Sequence, residues 1–481
     1  MGTGKADKEA MLRGLRVYRA SRLEALVTPL EALLEAWPPD DLLAPQFVLA
    51  AHPGMQRWLT RELARRRGPA DVVANLDVRL PSAWLDDEVR RHLGSAAMSL
   101  AAYRRDSLRW TALAALDAVD DPGLRRYLEA TDAHRRFQLA DRLAAILARL
   151  LVYRPDWLAA WAQGRAAPSD PPFLAPLWRS MQTRLPGEHR GALLQALARR
   201  RREAEPDAAI PTPLHVFGFS HLPALEFAVL CAEARHRLVC LYFPDPCVQY
   251  WAGLGDDRAR LQRLWQLGPG DAAERELQSL GHPLLAAWGR MGQHFGLALL
   301  DAVADTAADV RHGEDEHEDT QATDVLAWLQ QGIRQLQPDR PPPAAPDPRR
   351  DASLRVHGCH TRVRELEVLR DAILDALSAD ARLLPGDIAV MAPDIAVYAP
   401  LLPAIFGDAA DRHGALPWHC ADLALRRAHP LFDAFLAVVQ LPRTRIEAAQ
   451  VLDLLAVAAI RRALEIDEDG VDALRRWLDD A

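Results

Sequence analysis

The chain has 481 residues, 49% of them hydrophobic, and a formal net charge of −8, which allows roughly two to four domains with cores of their own and gives no global pull toward nucleic acid. Only two lysines, Lys5 and Lys8, occur among its 58 basic side chains, so the body of the chain lacks the lysine that a P-loop needs between strand and helix to reach the β- and γ-phosphates. The five cysteines, Cys231, Cys240, Cys247, Cys359 and Cys420, form no CxxC pair, which supports neither a disulfide framework nor a zinc site.

Residues 1–13 read as a flexible tail, and Gly2-Thr3-Gly4-Lys5 has no preceding strand to make it a phosphate loop. The charged N-terminus carries no secretory h-region. No apolar run approaches the roughly 18–20 residues that span a bilayer, so a cytoplasmic protein without membrane contact is expected. Leu15-Arg16-Val17-Tyr18 reads as a short strand. Ser21 is placed to cap a helix running to about Ala36, with Leu23, Leu26, Leu30, Leu33 and Leu34 on one face. Phe47–Ala51 is a continuous apolar strand of the buried parallel kind, and His52-Pro53-Gly54 turns the chain into a helix over Met55–Arg67. From Ser82 to about Arg202 the pattern is almost wholly helical, including Phe137–Val152.

β-character returns with Leu214–Phe219. A helix over Leu222–Arg235 and a strand over Leu238–Phe243 complete a βαβ unit. More helix follows to about Leu336, broken by an acidic stretch, Gly313–Asp319, read as a solvent loop. Six prolines in residues 338–350 mark a linker and the best domain boundary. The α/β rhythm then restarts, with strands expected over Leu354–His357 and Ile388–Ala392 and helices over Arg362–Leu377, Tyr398–Phe406 and from His429 onward. The division is therefore a tail (1–13), an α/β lobe (14–337) with a helical insertion at about 82–202, a linker (338–351) and a second α/β lobe (352–481). Two such lobes are the plan of a helicase motor, but the catalytic residues are missing. After Phe47–Ala51 the chain reads His-Pro-Gly-Met-Gln-Arg-Trp, and after Leu214–Phe217 it reads Gly-Phe-Ser-His. A cradle without lysine and a strand end without Asp or Glu support no phosphoryl transfer.

Several stretches resemble one family. They are Leu15-Arg16-Val17-Tyr18 with Ser21-Arg22-Leu23, Gly54-Met55-Gln56-Arg57-Trp58-Leu59, and Ala74-Asn75-Leu76-Asp77 with Leu80-Pro81. Leu151-Val152-Tyr153-Arg154-Pro155-Asp156-Trp157-Leu158 is the most distinctive. Ala175-Pro176-Leu177-Trp178, Pro283–Gly289 and His429-Pro430-Leu431 follow in order. Together they resemble RecC, the gamma-subunit family of exodeoxyribonuclease V, from Leu15 to Ala481. The family's subunit is much longer, so the chain resembles its N-terminal part, with the second lobe truncated. The resemblance implies a predominantly helical α/β fold of helicase-like lobes, of the superfamily-one type, with parallel sheets, large helical insertions and lost ATPase motifs. It also implies a scaffold that holds RecB-like and RecD-like subunits, meets double-stranded DNA ends, and channels single-stranded DNA past a Chi-reading site. ATP and Mg²⁺ are then used by the partner subunits, and no cofactor, metal or catalytic residue is expected in this chain.

Matching the family's channel to this sequence implies Arg57, Leu80, Asp86, Arg154 and Arg190 as nucleic-acid-binding residues. Arginine pairs bidentately with guanine or phosphate, and Leu80 offers an apolar wedge. Arg154 can alternatively close a helix C-terminus. Ala145, Ile146 and Ala148 stand where polar or acidic readers are expected, and Ala51 and Pro53 replace polar side chains after the second strand, so a different Chi octamer, or none, is expected. The tryptophans are assigned mainly to packing, with Trp157 helping to fix the turn that aims Arg154. The run Arg199–Arg202 suits either phosphate or a solvated helix end. Two further classes stand beside the scaffold: a subunit with its own ATP-dependent helicase or nuclease activity, and a DNA-free interaction scaffold. The missing lysine argues against the former, as does an acidic run that lies in one loop instead of converging on Mg²⁺.

Overall fold

A computed structural model of the chain describes residues 13–39, 41, 43–67, 72–165, 167–207, 212–247, 251, 282–303, 308–311, 324–337, 351–407, 416–421, 430–443 and 447–479. The expected tail (apart from residue 13), the acidic stretch at 313–319 and the proline-rich stretch at 338–350 lie outside these residues. The chain divides into two compact units, Met1–Leu354 and Arg355–Ala481.

Among the described residues of the first unit, six strands form one sheet: β1 (Gly14–Ala20), β2 (Gln46–Ala50), β3 (Leu76–Arg79), β4 (Leu214–Phe217), β5 (Leu238–Pro244) and β6 (Ala308–Arg311). Their order is β3-β2-β4-β5-β1-β6, and every pairing is parallel. Parallel strands need crossovers that cover both faces, so the two middle strands are buried along almost their whole length; every residue of β4 is buried, and all of β5 but its last. His215 is the polar exception in β4. Its Nδ1 lies 2.9 Å from the Tyr242 hydroxyl on β5, which satisfies both buried groups.

The covering helices come in chain order. α1 (Leu23–Ala36) and α2 (Pro53–Arg66) place Leu26, Leu30, Leu59 and Leu63 on one face of the sheet. The N-cap of α1 is Arg22, without a side-chain cap bond, so the cap expected at Ser21 sits one residue too early. α3 (Pro81–Leu93) begins the other face with Trp84, Leu85 and Val89. The insertion follows between β3 and β4: α4 (Arg105–Ala115), α5 (Pro122–Glu129), α6 (Ala133–Tyr153), α7 (Pro155–Ala162) and α8 (Leu174–Gln182) close around a core of their own that contains Leu147, Trp161 and Trp178. α9 (Arg190–Glu203), α10 (Ala224–Glu233) and α12 (Arg290–Val303, after the short α11, Pro283–Trp288) complete the second face. α13 (Val325–Arg334) ends the unit's described helices.

The second unit carries α14 (Arg362–Ala379), the short α15 (Leu402–Phe406), α16 (Pro430–Gln440), α17 (Ala448–Ala456), α18 (Ala458–Ala463) and α19 (Glu468–Asp479). The strands expected at Leu354–His357 and Ile388–Ala392 are absent. Both stretches run without a ladder partner among the described residues, and Val356 and Met391 are each 93% exposed. The architecture is therefore α/β and mostly helical, with a small parallel sheet. No helix among the described residues is long and apolar enough to cross a membrane.

Candidate nucleic-acid interface

Because all six strands are parallel, their carboxyl ends meet along one edge, where open α/β sheets bind ligands. The segments after β2, β3 and β4 all emerge there, and they carry or border most of the sequence-predicted residues.

After β2, His52 caps α2: its Nδ1 accepts the Met55 N–H at 3.1 Å, and Pro53 follows as the first helical residue. A helix N-terminus binds anions through free N–H groups. Here one of those positions is a proline with no N–H, and another donor is already taken by an imidazole. Arg57 lies one turn further along α2, on an open groove of about 670 Å³ that Gln56, Thr60, Arg61, Val72 and Val73 also line. The turn after β4 is pinned against the same helix. Gly218 has φ +74°, and a Cβ there would stand 3.1 Å from Met55 Cε.

After β3, Leu80 is 39% exposed and precedes α3, so an apolar side chain is presented at the edge as expected. Asp86 and Arg190 come together, but on each other. Arg190 Nε donates to Asp86 Oδ1 at 3.2 Å, and its Nη1 donates to Glu226 Oε1 at 3.0 Å. Only 17% of the Arg190 side chain is exposed. Two carboxylates thus compensate one guanidinium, which ties α9 to α3 and α10. Gly191 lets α9 approach α7 closely as well, since a Cβ there would lie 2.6 Å from Pro155 Cβ. His189 caps α9, accepting the Ala192 N–H at 3.1 Å; burial pushes its pKa down to about 4 and keeps it neutral for that role.

Arg154 stands at the junction of α6 and α7. Its backbone N–H closes α6 on the Leu150 carbonyl at 2.9 Å, while its side chain reaches Asp156 through two hydrogen bonds, of 3.0 and 2.6 Å. The hydrogen bond to Asp156 raises the Arg154 pKa, and the reciprocal bond holds Asp156 below the usual carboxylate range. The guanidinium carbon lies 3.9 Å above the Trp157 ring, so the ring face itself holds the side chain. Arg154 is thus exposed, flat and oriented. Trp84, Trp161 and Trp178 are buried as expected, whereas Trp288 is exposed.

One functional candidate at this edge escaped the sequence reading. His221, just past β4, stacks on Tyr153 with centroids 6.0 Å apart and planes 14° apart. Burial lowers its pKa, against an opposing pull from Glu226. Only the place of Tyr153 within the Val-Tyr-Arg-Pro motif pointed there. Further from the edge, Arg201 is buried against Glu233 and Asp207, so the Arg199–Arg202 run is partly structural. Glu88, His92 and Glu233 converge closely enough to hold a metal ion, but Arg91, Arg201 and Arg237 already neutralise the two carboxylates.

Residues 15–336 match the family model described as RecC, N-terminal domain, and residues 428–481 match that described as RecBCD enzyme subunit RecC fourth domain. The chain is similar to the RecBCD enzyme subunit RecC of Escherichia coli (30% identical over 97% of this chain and 44% of that protein). It is similar also to those of Mycobacterium tuberculosis H37Rv (33%; 96% and 42%) and Haemophilus influenzae (27%; 97% and 46%). The chain thus spans less than half the length of these curated relatives.

Proposed function

The chain belongs to the RecC family, and from that premise we propose that it is a non-catalytic, DNA-binding subunit of a RecBCD-type exodeoxyribonuclease V. In this reading the sheet and its insertion form a helicase-like lobe that has lost its ATPase groups. It holds RecB-like and RecD-like subunits and channels single strands from duplex ends during recombinational repair of double-strand breaks. Helicase, nuclease and ATP-binding activities, with their Mg²⁺, belong to the assembled complex.

The observation that carries the non-catalytic part is the N-terminus of α2. Where a motor would cradle phosphates, a proline and a capping histidine occupy the positions of the donors. Arg154 held flat over Trp157, and Leu80 exposed at the same edge, support DNA contact. Ala145 and Ala148 on α6 offer no base-reading group, which favours an altered Chi octamer or none; strand-specific nuclease attenuation on a sequence library tests that point.

The main test is capture of the tagged chain from its own cell extract, read by mass spectrometry, with ATP hydrolysis measured on the purified chain. Recovery of RecB-like and RecD-like subunits, with no turnover by the chain alone, is expected. Turnover by the purified chain would overturn the reading in favour of a subunit with its own motor.

A further inference from the structure

We propose that the exposed face of α6 is a phosphate track for single-stranded DNA, ending on the Tyr153–His221 stack as a platform for one unpaired base. The inference rests on the DNA-handling reading above and deepens it.

α6 is sharply two-sided. Ala140, Leu143, Ala144, Leu147 and Leu151 are buried in the insertion core. Arg135, Arg142 and Arg149 are exposed on the opposite side. Their spacing of seven residues keeps them within a narrow stripe, about 10.5 Å apart along the axis. Ile146 and Tyr153 fall on the same stripe and are also exposed, Tyr153 at 54%.

A row of arginines is usually a solvated face balanced by acids. This one is not balanced. Among the described residues none of the three arginines has an ion-pair partner, although their neighbours do: Arg136 pairs with Asp117, and Asp141 with Arg105 and Arg109. Asp141, the one acid on α6, is thereby already neutralised from α4. In a chain whose net charge is −8, an uncompensated stripe of one sign is a local exception to the overall balance. Its complement is a regular row of anions.

The stripe leads to an aromatic platform. Tyr153 lies flat on His221, whose Nε2 is buried without a hydrogen-bond partner. The next residue is Arg154, itself stacked on Trp157. A groove of positive charge leading to stacked rings is how single strands are held without sequence readout, since every base has a π-face. Isolated bases are available to such a platform only in an unpaired strand, which selects single-stranded over duplex DNA.

The experiment uses the whole 481-residue chain and fluorescein-labelled oligothymidylate, with anisotropy read across a salt series. Each phosphate contact contributes about 0.7 to the log–log salt slope for single strands. The triple variant R135A/R142A/R149A is therefore expected to flatten the slope by about 2, whereas the triple lysine variant keeps the parental slope. Y153A is expected to weaken binding roughly five- to 150-fold at every salt concentration. R125A, which removes an arginine paired with Asp120, leaves the slope unchanged. Oligonucleotide binding with an unaltered slope in the triple alanine variant overturns the track and leaves the face to an acidic protein surface. The variant R135Q/R142Q/R149Q, which keeps long polar side chains without their charge, decides the matter if the alanine variant fails to fold: an unaltered slope there also overturns the track, as does a slope flattened by lysine. No binding by the parent chain would instead remove the DNA-handling reading on which the track depends.

Discussion

His189 tests how the helical insertion is fastened to the sheet. Its ring is buried, with centroids 6.0 Å from those of Tyr103 and Trp178, and its Nδ1 caps α9 by accepting from Ala192. That bond requires a neutral imidazole, and burial supplies one by lowering the pKa from 6.5 to about 4. Between those two values the unfolded chain holds a proton that the folded chain refuses, so stability is fully present above pH 6.5 and falls as pH drops toward 4. The slope is about 1.4 kcal/mol per pH unit for one group. His189 alone therefore removes about 2 kcal/mol between pH 6.5 and 5. His215, held down to about 3 by its own burial, contributes a parallel loss of similar size. The buried carboxylates Glu62 and Glu88 lie outside this window, because hydrogen bonds and charges from their basic neighbours outweigh burial and hold both below the ordinary range. Asparagine is a strong N-cap that does not titrate, so His189→Asn separates the proton from the cap. Urea unfolding followed by tryptophan fluorescence should show the variant losing about 2 kcal/mol less than the parent between pH 6.5 and 5. Identical pH dependence in the two proteins would refute the assignment.

Gly191→Ala would set a methyl group 2.6 Å from Pro155 Cβ. A loss of roughly 1–3 kcal/mol in urea unfolding is expected from such overpacking, and an unchanged midpoint would mean that the α7–α9 contact gives way freely. Glu233→Gln leaves the buried Arg201 and Arg237 without their shared carboxylate; breaking a buried pair in this way costs about 3–5 kcal/mol, read as a lowered Tm, and a change under about 1 kcal/mol would contradict it. Amide hydrogen exchange should find Val356 and the stretch from Ala389 to Ala392 unprotected, because no ladder partner exists for them among the described residues. Protection there matching that of β5 would show that those segments are paired in solution.

The central strands were legible because parallel sheets demand apolar residues on both faces. Leu15–Tyr18, Phe47–Ala51, Leu214–Phe219 and Leu238–Phe243 announce themselves in that way, and all four lie in the sheet but for Ala51, one residue past the end of β2, and Gly218 and Phe219, past the end of β4. The edge strands did not. β3 reads Leu-Asp-Val-Arg, with Asp77 and Arg79 paired to each other, and β6 reads Ala-Asp-Val-Arg. An edge strand needs one apolar neighbour and tolerates charge, so nothing local separates it from a loop. Leu354–His357 and Ile388–Ala392 fail in the opposite sense. Their composition favours strand, but composition supplies no hydrogen-bond partner, and the described residues contain none. Asp86 and Arg190 show the same limit within the site. Each was picked out as a DNA contact, yet they bind one another across 104 residues, a pairing that no local pattern encodes.

That last pairing bears on how an acidic, arginine-rich chain is to be read. The number of arginines says little about nucleic acid, because carboxylates already compensate many of them: Arg190 by Asp86 and Glu226, Arg201 by Glu233 and Asp207, Arg79 by Asp77 and Asp87. Compensated guanidiniums release no counterions when DNA arrives, since their charge is already spent on a neighbour. Arg154 is intermediate, bound to Asp156 but exposed, and phosphate can compete for it because an exposed ion pair is worth little. Arg135, Arg142 and Arg149 carry no such compensation among the described residues. If DNA follows this edge of the sheet, the salt dependence of its binding should be dominated by those three, and not by the arginines whose sequence neighbourhoods are the most distinctive.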